Sequence, residues 1–281
     1  MKILIIGSSG ILGHCLYNVL RKKHKVYHTG LKKRLYDLTV TKNLEKIFSK
    51  KIDVVINCAA ITNIEFAEKN KKIINNINYK LVKNVLLLNK TKKFYFINFS
   101  TDQVYNNKNI RKNIENNISF NGNYYTKTKI KADKLINKFK FLSLRINFFG
   151  QSYRGNGTFT DWLFLKMKKE EKIFLFKDQF FSGLTIDTLS KIIVKVINKK
   201  IFGIYNLGSK GYISKKNLAL KFYKNLNVKN NINFEPIKVN SFLKVKRSNF
   251  MYMNSNKFTE KFKIKLPTIN EEIKKASREY K

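Results

Sequence analysis

The chain has 281 residues, with 58 Lys plus Arg against 18 Asp plus Glu, a formal charge of +40 and 43% hydrophobic residues. That apolar share suffices for a packed core and excludes a chain disordered throughout, and the length fits one large domain or two modest ones. Two cysteines, Cys15 and Cys58, exclude a disulfide framework; three histidines, none after His28, leave no transition-metal site to expect, and a reducing, cytoplasmic setting follows. The basic residues run from Lys2 to Lys281 in short groups, mixed with Asn, Ile, Phe and Tyr. Nucleic-acid footprints are clustered, so this dispersal points to biased composition and not to a specific nucleic-acid partner.

In chain order, Ile3–Ile6 reads as a first strand. The stretch from Ile3 to Leu20 carries no charge, yet Gly7, Gly10 and Gly13 break its apolar run too early for a secretory core or a membrane span. A glycine-rich turn between a strand and a helix lets backbone approach a pyrophosphate and offers it the helix N–H groups. Gly7, Ser9, Gly10, Ile11, Leu12 and Gly13 are therefore the expected dinucleotide contacts; the alternative is a merely structural turn.

Further strands are expected at Lys25–Tyr27, Val54–Asn57, Phe94–Phe99 and Phe141–Arg145, separated by stretches of helical periodicity. That alternation predicts an α/β fold, a Rossmann-type doubly wound parallel sheet over residues 1–150. After the second strand no acid stands ready for the ribose 2′-OH of NAD; His28 to Arg34 is basic, and Lys32, Lys33 and Arg34 suit a 2′-phosphate. NADP(H) is the preferred coenzyme and NAD(H) the alternative. Beyond Gly150 the rhythm changes, with strands at Ile173–Phe176 and Gly203–Leu207 and helices at Thr188–Asn198, Lys215–Leu226 and Ile269–Arg278. Residues 151–281 read as a smaller α/β substrate lobe, interleaved with the sheet in one compact body.

The chemistry sits between these parts. Tyr125 and Lys129 are four apart, so on a helix they share one face, about 6 Å apart along the axis. A free tyrosine, with pKa near 10, is a poor acid–base group at neutral pH, and a nearby cation favours its phenolate. The alternative is a surface tyrosine beside one of many lysines. Thr101, at the carboxyl end of a strand, is placed to donate a hydrogen bond to a substrate oxygen, with Ser100 the neighbouring hydroxyl; both residue types also cap turns.

Gly7-Ser8-Ser9-Gly10-Ile11-Leu12-Gly13, Asn57-Cys58-Ala59-Ala60, Ser100-Thr101-Asp102 and the Tyr125/Lys129 pair occur in the order found in the extended short-chain dehydrogenase/reductases, which this chain resembles. Within that group it is most similar to dTDP-4-dehydrorhamnose reductases and their sugar-nucleotide relatives, over nearly the whole chain. The resemblance implies Thr101, Tyr125 and Lys129 as catalytic residues. Cys58, Ala59, Ala60, Asp37 and Leu38 become further coenzyme contacts, Asp37 and Leu38 flanking the adenine. A nucleotide-linked hexose is the implied substrate, lying between the strand ends and the smaller lobe near Thr62, Ile64, Ser100, Thr101 and Asn147. Arg247, in Lys246-Arg247-Ser248-Asn249, is a candidate for its diphosphate, the alternative being a solvated charge. The implied reaction is NADPH-dependent reduction of a C4 ketone on a 4-keto-6-deoxyhexose, in deoxysugar and polysaccharide biosynthesis, with no membrane partner and a homodimer compatible with the family.

The chain departs from the reductase pattern in three places. The usual proline ahead of the tyrosine is absent, Gln103 stands where tyrosine is common, and Leu144 to Gly150 is one residue short of the reductases' segment. Gln103 cannot deliver the proton a dehydratase needs, and the absence of histidine after His28 disfavours the epimerase-reductase route. The alternatives are a catalytically silent NADP-binding regulatory subunit of the same fold, or another extended sugar-nucleotide epimerase or dehydratase. Cys58, without a His partner, reads as a packed thiol and not as a nucleophile.

Overall fold

The computed structural model describes residues 1–29, 41–120, 122–227 and 232–281. Its strands in chain order are β1 (Lys2–Ile6), β2 (Lys25–Thr29), β3 (Val54–Asn57), β4 (Tyr95–Thr101), β5 (Leu142–Ile146), β6 (Phe148–Phe149), β7 (Ile173–Phe176), β8 (Phe180–Phe181), β9 (Leu184–Thr185), β10 (Gly203–Leu207), β11 (Ile213–Ser214) and β12 (Phe234–Ile237). Six of them form the main sheet, in the order β10-β5-β4-β3-β1-β2. β1 pairs in parallel with β2 on one side and β3 on the other, and β3 with β4, so that Ile6 lies opposite both Thr29 and Asn57. Strands covered by helices on both faces read as continuous apolar runs, and Ile3 to Ile6, Val54 to Ile56 and all of β4 are buried. The winding reverses at β1, and the crevice beyond the strand ends at such a reversal is where ligands bind in open α/β sheets.

The chain divides into two compact units: Met1–Thr101, Asn123–Arg145 and Ser190–Tyr205 form the first, and Asp102–Gly122, Ile146–Leu189 and Asn206–Lys281 the second. In the first, the helix Ile11–Leu20 buries Leu12, Leu16 and Leu20 at successive four-residue steps. The helical run from Lys71 to Lys92 widens into a π turn at Asn76–Lys80, and this carries Asn78 into the interior. There its amide holds Ile61 from both sides, accepting from Ile61 N at 2.9 Å and donating to Ile61 O at 3.0 Å.

The second unit is built on two-stranded ladders, β7 with β12 and β6 with β9 in parallel and β8 with β11 antiparallel. Pro236, which lacks an N–H, sits in β12, which pairs with β7 in a two-stranded ladder. Helices Phe159–Lys168, Lys215–Leu226 and Ile269–Arg278 close over a core that includes Phe149, Leu163, Phe181, Phe222 and Ile273. Two of them open with capping boxes, Thr158 with Asp161 and Thr268 with Glu271, each satisfying first-turn amides. Among the described residues no helix is long and apolar enough to cross a membrane.

Candidate functional site

The glycine loop leaves β1 at Gly7, whose φ of 81° lies in the region that glycine alone occupies without strain. A Cβ there would stand 2.6 Å from the Ala59 amide nitrogen, and one on Gly13 would stand 2.3 Å from the Gly7 carbonyl oxygen. Backbone thus packs on backbone, bringing Gly7 and Gly13 together with the Cys58–Ala59 segment. β2 anchors the loop: Ser8 N donates to Thr29 O at 3.0 Å and Gly7 N to Thr29 Oγ1 at 3.3 Å. His14 N bonds Gly10 O at 2.8 Å, so the helix begins at Ile11 and its first turn presents the amides that an anion takes. Lys32, Lys33, Arg34, Asp37 and Leu38 lie outside the described residues.

The segment after β3 is fixed by asparagines. Asn57 Nδ2 donates to Asn98 Oδ1 of β4 at 2.8 Å while Asn57 Oδ1 accepts from Ala59 N at 3.2 Å, and Cys58 N donates to Ile6 O at 2.8 Å. Burial pushes the Cys58 thiol well above its usual pKa, with Lys129 pulling the other way. A thiol so held is protonated and unreactive at neutral pH. Thr62 is exposed beyond this segment, and Ile64 is buried at the head of the short helix Ile64–Lys69.

β4 ends at Ser100 and Thr101, both buried. The Ser100 hydroxyl has no hydrogen-bond partner among the described residues. Tyr125 is the second residue of the helix Tyr124–Lys138, whose N-cap, Asn123, accepts from Thr126 N at 2.9 Å, while Glu68 accepts from Tyr124 N at 2.5 Å. One turn on, Lys129 is 5% exposed and its Nζ donates to Phe99 O at 2.7 Å. The helix that carries Tyr125 and Lys129 is therefore tied to β4 two residues before Thr101. Burial lowers the Lys129 pKa to about 8, against the opposing pull of Asp133 and Cys58. Asp133 is itself committed to Arg145 Nε at 3.0 Å and Ser143 Oγ at 2.7 Å, a fully buried ion pair that clamps the helix to β5.

In the second unit, Asn147 Nδ2 donates to Asp102 Oδ2 at 2.5 Å. Elsewhere in this unit, Gln179 Nε2 donates to Ser248 O at 3.2 Å and Asn249 Nδ2 to Asp178 Oδ2 at 3.0 Å. Arg247, half-buried, has its backbone held by Asn240, which accepts from Arg247 N at 2.8 Å. Asn57, Asn78, Asn98 and Asp133 are the supporting residues that sequence reasoning left unassigned. Asparagine is so common in this chain that only the fold distinguishes the first three.

The model of the family described as "RmlD substrate binding domain" matches residues 1–281, the whole chain. The chain belongs to that family. It is thereby an extended short-chain dehydrogenase/reductase, a group of oxidoreductases. Among its RmlD relatives in solved structures, the dTDP-4-dehydrorhamnose reductase of Bacillus anthracis in complex with NADP is 22% identical, with a TM-score of 0.89 over 100% of this chain and 99% of that one. A dTDP-4-dehydrorhamnose reductase from Clostridium acetobutylicum is 23% identical, with a TM-score of 0.87 over 98% of each chain. The probable low-salt glycan biosynthesis reductase Agl14 of Haloferax volcanii is 21% identical over 237 residues, 79% of each protein.

Proposed function

We propose that this RmlD-family protein reduces the C4 ketone of a nucleotide-linked 4-keto-6-deoxyhexose, using NADPH, in the biosynthesis of a deoxysugar for cell-surface glycans. The observation that carries the reading is the Lys129–Phe99 hydrogen bond, which ties the Tyr125/Lys129 helix to the strand that ends in Thr101. A solvated surface lysine has no such bond, and a silent binding protein has no need of a buried ammonium one turn from a tyrosine.

The loop fits the coenzyme because added Cβ atoms on Gly7 and Gly13 would meet backbone, leaving a cradle only glycine makes. Gly7, Ser9, Gly10, Ile11, Leu12 and Gly13 would hold its pyrophosphate, with Cys58, Ala59 and Ala60 beside the loop. Lys32, Lys33 and Arg34 would select the 2′-phosphate, and Asp37 and Leu38 the adenine. Bound NADPH supplies a hydride. In this reading Tyr125 delivers a proton to the ketone oxygen as negative charge builds there, and Thr101 donates a hydrogen bond to the same oxygen. Lys129, cationic below its pKa of about 8, stabilises the phenolate that remains. Ser100, whose buried hydroxyl lacks a partner among the described residues, is a further contact for the sugar. Thr62, Ile64 and Asn147 are assigned to the hexose and Arg247 to its diphosphate.

A panel of nucleotide-linked 4-keto sugars, assayed for NADPH oxidation, tests reaction and substrate together. Tyr125→Phe removes the acid alone, so turnover of the best substrate falls by roughly 10²–10⁴ with coenzyme affinity retained. Undiminished turnover in that variant overturns the mechanism; a panel with no substrate, against intact NADPH binding, favours the silent coenzyme-binding reading.

A further inference from the structure

A cavity of about 420 Å³ opens in the second unit beside the loop that follows β10, and all of its lining residues belong to that unit. Its size suits a small organic molecule. Backbone bonds fix its walls. Gly208 N donates to Ser255 Oγ at 3.1 Å and Ser209 N to Ser182 O at 3.2 Å. Lys210 N then donates to Pro267 O at 2.8 Å, and Lys210 O accepts from Ile269 N at 2.9 Å. Asn254, also in the lining, is held at both ends, its N donating to Asn113 O and its O accepting from Asn206 Nδ2, each at 3.0 Å. Its Oδ1 accepts from Asn256 N at 3.0 Å, so Nδ2 is the end of the amide left for a ligand.

Ser209 is 3% exposed, and its hydroxyl has no hydrogen-bond partner among the described residues. A buried hydroxyl without a partner destabilises the fold, and that cost is offset where a ligand supplies the partner. Arg111 and Lys210 bring two positive charges to the same lining, which has no carboxylate among the described residues. With 58 basic residues in the chain, a cation beside a cavity is no argument in itself. Lys210 is also shared with Glu271, whose carboxyl is held below its usual range first by hydrogen bonds from Thr268 and then by Lys265 and Lys210. The neutral donors are what distinguish the site. Ser209, Asn254 and Arg111 are three donors from separate stretches of chain, matching the three terminal oxygens of a phosphomonoester better than the two of a carboxylate, and the two cations match its dianion. Met253 and Leu266, both buried, add an apolar wall for the esterified group.

We propose that this cavity is a binding site for a phosphomonoester, with Ser209 and Asn254 donating to its oxygens and Arg111 supplying charge. It shares no residue with the glycine loop or with the residues assigned to the sugar, and it does not depend on the sugar-nucleotide reading. The test titrates phenyl phosphate into the NADP-loaded protein by calorimetry at physiological salt, beside inorganic phosphate and phenol. Phenyl phosphate saturates the wild type, inorganic phosphate binds more weakly and phenol does not bind. Ser209→Ala and Arg111→Gln each weaken phenyl phosphate about tenfold. Lys199→Gln, which removes an exposed charge outside the cavity, leaves its affinity unchanged. Without ligand, the denaturation midpoint of Ser209→Ala equals or exceeds that of the wild type, because no hydrogen bond is lost. No saturable binding, equal binding of phenol, or wild-type affinity in Ser209→Ala or Arg111→Gln overturns the site. A tenfold loss in Lys199→Gln as well would make the attraction one of general charge and overturns it too. So does a lowered midpoint for Ser209→Ala, since the hydroxyl would then already be bonded within the protein.

Discussion

Replacing Lys129 by Met separates what a buried charge does for catalysis from what it does for the fold. The drop in pKa from 10.5 to about 8 means that the folded protein disfavours the ammonium by about 3 kcal/mol relative to water, even with its hydrogen bond to Phe99 O counted. Methionine removes that penalty and fills similar space, but it leaves the Phe99 carbonyl short of a strong donor, which costs about 1–3 kcal/mol. The two effects nearly cancel, so at pH 7 the variant is as stable as the wild type or up to about 2 kcal/mol more stable. Turnover moves the other way and falls by roughly 10²–10³, because the phenolate loses its cation. Between pH 8 and 10.5 the unfolded chain holds a proton on Lys129 that the folded protein has released, so wild-type stability rises with pH over that window and the variant loses this contribution. Lys215, shifted in the same direction, contributes the same sign in both proteins. Activity of the wild type declines as pH rises through about 8, as Lys129 loses its charge. Urea titrations at pH 7 and 9.5, beside NADPH-oxidation rates, decide the matter. A variant several kcal/mol less stable than the wild type at pH 7 would refute the argument, since the ammonium would then be a net structural tie.

Three further outcomes follow from the geometry. Asp133→Asn strips the buried Arg145 guanidinium of its countercharge and lowers stability by about 3–5 kcal/mol, read as the denaturation midpoint; a loss under 1 kcal/mol refutes the clamp. Gly13→Ala sets a Cβ 2.3 Å from the Gly7 carbonyl oxygen, so NADPH affinity drops by at least about tenfold in fluorescence titration, and unchanged affinity refutes the cradle. NADPH binds more tightly than NADH at moderate salt, and exchanging Lys32, Lys33 and Arg34 for Ala erases the difference; equal affinities in the wild type refute the assignment.

The sheet was legible in the sequence because parallel strands buried on both faces leave unbroken apolar runs, as at Ile3 to Ile6 and Val54 to Ile56. The glycine loop was legible for a comparable reason, since close backbone packing at Gly7 and Gly13 admits no other residue. β6, β8, β9 and β11 left no trace, because two residues cannot show a period. The π turn that turns Asn78 inward has no compositional mark either. Lys129 could be singled out among 58 basic residues only by its spacing from Tyr125, and nothing in the sequence announced its bond to Phe99. The ring-flanked setting of Lys215 was equally silent, for Phe159 and Phe181 are distant in sequence and meet it only in the fold.

The alternation of the two units along the chain also limits how a protein of this kind acquires a new specificity. Its second unit is assembled from three separate stretches, so transplanting it whole would need junctions after Thr101, Gly122, Arg145, Leu189 and Tyr205. A single crossover near residue 150 would instead strand Ser190–Tyr205, and with it most of β10, leaving the edge of β5 bare and open to pairing with another chain. Shuffling of gene segments is a poor route to a different sugar here. Substitution at single positions needs no such junctions, so variation among relatives is expected to gather at single positions of the second unit and not in the order of the parts.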